Sequence, residues 1–266
     1  MSKKQELATT TGHVSKYDYG DRSGKGYEHQ TQDDLQTPMI LVLQALSKVV
    51  TKKTVPGAEA GLLFNNVTNE LAKELLFVPA ITTQVYVEWV PREKGGGFAG
   101  IHDPHSQEVA NSLLAAGGKQ KDMMIGENNL VRTFQVWGVL CDDKEPLGVA
   151  MLPCSSSKIR IYKAWNTKTR QFMPTNSDGE KFLPPMFSHL VRLKTVYDDS
   201  NPSGDFYNLV MEPANGDVAS SQLSPDDPRF VAAEECYELS EAGALKQGAY
   251  DKATSEEAGT SEKNPF

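Results

Sequence analysis

Apolar positions are concentrated between residues 37 and 247, and both ends of the chain are polar. Residues 1–36 show no apolar periodicity and read as a flexible or extended arm. The run Pro38–Val50 is apolar, and its length and its Leu, Gln and Ala content favour a short helix, with a strand as the alternative. The clearest strand lies between Leu75 and Val90. Leu75, Phe77, Ile81, Thr83, Val85, Val87 and Trp89 recur at period two and share a predicted face, with Gln84, Tyr86 and Glu88 on the other. Pro79 within it marks an edge position or a bulge. Beyond Pro91, Arg92 and Lys94 introduce a Gly95-Gly96-Gly97 loop. A helix is predicted over Ser106–Ala116. Strands over Leu130–Cys141 and Leu147–Leu152 form a hairpin through Asp142–Pro146. Ser155-Ser156-Ser157 offers an N-cap for a helix over Lys158–Lys168. Phe187–Tyr197 and Phe206–Glu212 form a second hairpin around Asp198–Gly204, and Asp226-Asp227-Pro228 starts a last helix that Gly243 ends.

This order predicts a mainly β chain with peripheral helices, organised as an OB-like five-stranded barrel. A two-layer α+β sheet is the alternative, because closure rather than strand content defines a barrel. The expected division is an arm (1–36), one β-rich domain (37–247) and a disordered acidic tail (248–266).

Hydrophobic residues make up 39% of the 266, enough for one sizeable core. No apolar run approaches the roughly 20 residues that span a bilayer, and the N-terminus lacks the apolar stretch of a secretory signal. A cytoplasmic location is expected. Cys141, Cys154 and Cys236 are too few and too scattered for a disulfide framework or a zinc cluster.

The net charge of -8 argues at first against nucleic acid, but the charges are segregated. Between Lys158 and Lys194 eight bases face two acids, a local +6; from Asp226 onward ten acids face four bases, a local -6. The local field decides whether a polyanion is attracted.

Catalytic patterns are missing. There is no phosphate loop of the G-x-x-x-x-G-K-[ST] kind and no nucleophile elbow around Cys154 and its serines. His102-Asp103-Pro104-His105 has proline where a metal-binding helical turn would need none. Asp198-Asp199 and Asp226-Asp227 sit among turn residues, where aspartate is expected without metal. The reading is therefore a non-enzyme with no cofactor and no metal, a metal-dependent nuclease being the least favoured alternative.

Binding chemistry is present. From Lys158 to Phe172 the chain interleaves Lys158, Arg160, Lys163, Lys168 and Arg170 with Tyr162, Trp165 and Phe172. Cations neutralise phosphates and release counterions, and aromatic faces stack on unpaired bases. Tyr86, Arg92, Lys94, Arg192 and Lys194 extend this candidate DNA-binding set together with Lys158, Arg160, Tyr162, Lys163, Trp165, Lys168 and Arg170. The competing reading makes Tyr162 and Trp165 core anchors and the cations a solvated face. At the end of the chain, Glu256, Glu257, Glu262, Pro265 and Phe266 form a candidate partner-binding tail.

Pro38–Gln44, Val87–Arg92, Tyr162–Asn166 and Phe187–Leu190, with the last helix and the tail, resemble tailed-bacteriophage single-stranded DNA-binding proteins. The resemblance covers about residues 35–245, though Lys263 and Asn264 stand where such tails carry acids. It implies an OB-like core, sequence-independent coating of exposed DNA in replication or recombination, partner proteins held through the tail, and no catalysis. A phage structural or transcription-associated protein, whose basic segment meets another protein, is the alternative.

Overall fold

The structure is a computed structural model that describes residues 20–22, 25–29, 36–199, 204–243 and 245. Most of the expected arm and the whole of the expected tail therefore lie outside the described residues.

Two long strands, β4 (Glu74–Val90) and β7 (Asn128–Cys141), pair antiparallel from Leu76↔Cys141 to Trp89↔Asn129 and form the spine of the sheet. β1 (Ile40–Val42), β2 (Leu63–Asn65) and β3 (Leu71–Ala72) precede them, with a single helical turn, α1 (Lys48–Thr51), between β1 and β2. The expected helix over Pro38–Val50 is thus corrected. Its apolar residues enter as a strand whose every side chain is buried, with Ile40 and Val42 in one core and Met39 and Leu41 in the other.

The insertion after β4 contributes β5 (Gly97–His102), α2 (Gln107–Ala115) and β6 (Met124–Ile125). β8 (Pro146–Ser155) pairs with β7, α3 (Ser157–Gln171) follows, and β9 (Val191–Asp198) returns to the first residues of β4. β10 (Phe206–Pro213) pairs with β9, and α4 (Pro228–Glu241) ends the described fold. A meander β4-β7-β8, a helix, and a hairpin returning to the meander's first strand make an OB-like connectivity. The sheet is a strongly curled half-barrel with few helices.

The gap between the outer strands β8 and β10 is bridged by β1. Met39 makes a parallel bridge to Met151, whose N–H donates to the Pro38 carbonyl at 2.8 Å. On the other side the Gln44 side chain acts as a strand would. Its Nε2 donates to the Tyr207 carbonyl at 2.8 Å, and its Oε1 accepts from the Tyr207 N–H at 2.9 Å.

Tyr162 and Trp165 of α3 cover a core containing Phe77, Val136, Leu152, Val191 and Leu209. On the opposite face Phe230, Ala233 and Cys236 of α4 cover Val78, Val85, Val87, Trp137 and Val139. One face of β4 does not run straight through. The register with β7 shifts between Pro79 and Ile81, so Ala80 is an extra residue and the parity reverses there. Leu75 and Phe77 consequently belong to the α3 core, while Ile81, Val85, Val87 and Trp89 belong to the α4 core. This corrects the single face expected from the sequence and bears out the bulge expected at Pro79. Gly138 lies opposite Pro79, where a Cβ would stand 2.2 Å from the Val78 carbonyl oxygen.

Candidate nucleic-acid interface

Helix α3 holds the densest positive charge among the described residues, with five bases and no acid in fifteen positions. Its geometry follows from spacing. Tyr162, Trp165 and Thr169 fall on one stripe and are buried, which turns Arg160, Lys163, Lys168 and Arg170 outward into solvent. None of these four has an ion-pair partner within 4 Å among the described residues. Lys158 is half-buried beside Cys154. The expected serine cap is not made: Ser156, at the N-cap, has φ of 50° and its side chain makes no capping hydrogen bond.

The other expected cations are placed differently. Arg192 donates to Glu74 at 2.6 Å and to the Ala214 carbonyl at 3.1 Å. Lys194 is paired with Glu212, and Lys94 with Glu127. Arg92 lies in a helical turn with Lys94, and its side chain is outside the described residues. The tail residues Glu256, Glu257, Glu262, Pro265 and Phe266 are outside them too.

The aromatic expectation needs the larger correction. Tyr162 is 6% exposed and Trp165 5%, so both are anchors of the α3 core. Tyr86, expected on an open face, is 4% exposed because α2 folds over it, with Val109, Met123 and Leu130 as neighbours. Phe172 is half-buried and meets the His189 ring edge-on. The apolar groups that do reach solvent near α3 were not singled out from the sequence. A short lobe, held by the Thr175↔Lys181 bridge, follows the helix and exposes Met173, Phe182 and Leu183, with Phe182 at 43%. The signal was available in the Phe182-Leu183 pair beside Lys181, outside any predicted element.

A second polar cluster lies on the face shared by β4 and β7. Arg132 is pinned there by Gln84 at 2.7 Å and Gln120 at 3.3 Å, with its guanidinium 4.9 Å from the Phe134 ring centre. Glu88 accepts from Asn128 at 2.6 Å and meets His102 at 2.8 Å, and His102 reaches Glu108 at 3.0 Å.

Residues 4–246 match the family described as Pam3 phage gp34-like protein. The chain belongs to that family. It is therefore a phage protein, and the Pam3 gp34-like match takes in every described element from β1 to α4. No curated protein and no solved structure matches it. Among the described residues, no helix of this family member is long and apolar enough to cross a membrane, and no group of three or more His, Cys, Asp or Glu is placed to hold a metal ion. Of the aspartates considered for a metal, Asp227 is occupied otherwise. Asp227 caps α4 and makes two hydrogen bonds to the Arg229 guanidinium, at 2.9 and 2.7 Å, which hold its carboxyl below the usual range.

Proposed function

We propose that this phage protein binds single-stranded DNA without sequence preference, coating strands exposed during replication or recombination. One observation carries the reading: an acid-free helix with four outward cations, on a chain whose net charge is -8. A protein of that charge repels polyanions unless a local field reverses the sign, and α3 supplies such a field. The OB-like connectivity and the exposed Phe182 beside Lys181 support the same reading. Phosphates run along the outer face of α3, and bases turn toward the sheet or the lobe that follows the helix.

The test is anisotropy of a labelled oligothymidylate and of a duplex at two salt concentrations. Binding to the single strand falls steeply with salt. The double variant Arg160→Glu, Lys163→Glu weakens it at least about tenfold, since each lost phosphate contact lowers both affinity and salt slope. Equal binding by wild type and variant would dismiss the helix as the contact surface.

A second reading, docking of another protein, rests on a shallow apolar groove of about 270 Å³ between α3 and the edge of β10, lined by Ile161, Ala164, Trp165 and Met211 among others. It expects no strand preference and little dependence on salt.

A further inference from the structure

We propose that Arg132 and Phe134 form a nucleobase platform, a site distinct from the cations of α3 and resting on the single-strand reading above. The pieces come from four elements. Gln84 of β4 stands opposite Phe134 of β7, and Tyr86 stands opposite Arg132. From α3, Tyr162 brings its ring to 4.9 Å from Phe134 at an interplanar angle of 32°. From the helical turn Gln120–Asp122, Gln120 reaches Arg132. The result is a ladder of three π-systems, Tyr162, Phe134 and the Arg132 guanidinium, flanked by two side-chain amides.

This assembly has the three properties that unpaired bases select. With Phe134 covered by Tyr162 on one side and by the guanidinium on the other, the flat face left for a base is the outer plane of Arg132, which stacks regardless of base identity. A guanidinium plane held by two amides and a ring is fixed before the ligand arrives, so less entropy is lost on binding. Amide groups at the rim can hydrogen-bond base edges. The platform lies on the face of the sheet that α3 covers, because Phe134 packs against Tyr162 of that helix.

Stability alone does not account for Arg132. Its Nε is buried and has no hydrogen-bond partner among the described residues. A buried donor without an acceptor is a cost, and an unbranched apolar side chain at the same position would avoid it. An arginine whose Nε is left unpaired while its two Nη groups are held in a plane is what a ligand contact explains.

The experiment uses the full chain and two probes of equal length: an oligothymidylate and an abasic deoxyribose-phosphate strand. Arg132→Met and Phe134→Leu each weaken the oligothymidylate by about tenfold. Both leave the abasic strand unchanged, and thermal unfolding shows Arg132→Met no less stable than wild type. The α3 double variant weakens both strands. If the Arg132 and Phe134 variants bind the two strands as wild type does while the α3 variant loses both, the platform is wrong and the helix reading stands. If wild type binds neither strand, both fall.

Discussion

His189 shows how one buried residue sets a pH limit. It is 2% exposed, its Nδ1 has no partner among the described residues, and burial pushes its pKa from 6.5 down to about 4. The neutral ring is the folded form, so the unfolded chain binds more protons between those values. The stability is fully present above pH 6.5 and is lost as pH falls toward 4, by roughly 3 kcal/mol in total. Urea unfolding from pH 7.5 to 4.5 should show this loss, and His189→Phe should flatten it; an unchanged slope in the variant would assign it elsewhere. The backbone and side-chain bonds that lower Asp142 and Asp217 act in a separate window, below the ordinary carboxylate value of 3.8. At this scale the sequence was legible in charge and misleading in aromatics. Arg160, Lys163, Lys168 and Arg170 are outward. Their spacing around Tyr162 and Trp165 already implied that those rings face inward. Burial of Tyr86 depends on α2, which comes from a separate segment and leaves no local trace in β4.

Among the elements, the seam at Gln44 has the most to lose. Its two hydrogen bonds stand in for strand pairing at the edge of β10. Gln44→Leu strips both the N–H and the carbonyl of Tyr207 of their partners, at a cost of about 2–4 kcal/mol. Chemical denaturation gives the loss, and faster amide exchange at Tyr207 gives its location; protection equal to wild type would show that β10 is held without the seam. Regular elements were readable where period and flanking turns agreed: β7, β8, α2, α3, α4 and the β9–β10 pair. β1 was not. A run bounded by Pro38 and containing Leu, Gln and Ala fits a helix locally, and partners outside the run, β2 at Leu63–Asn65 and Met151 of β8, make it a strand.

For the molecule as a whole, the separation of charge is the physical theme. The basic helix is a described part of the fold, whereas the last eighteen residues carry four acids against two bases. Removing residues 249–266 should tighten oligothymidylate binding at low salt, with the advantage vanishing as salt screens it. Identical affinities at low salt would separate the tail from DNA altogether. The half-barrel was legible as strand order, though its curl was not, since curvature arises from bulges and seams that period-two patterns do not encode. One of those bulges has a wider meaning. Ala80 works as a shift of reading frame: upstream, odd-numbered side chains of β4 serve one core, and downstream the odd-numbered ones serve the other. The bulge thereby hands the odd-numbered side chains of one continuous strand from one hydrophobic centre to the other, and neither helix can dock correctly unless that one extra residue is counted.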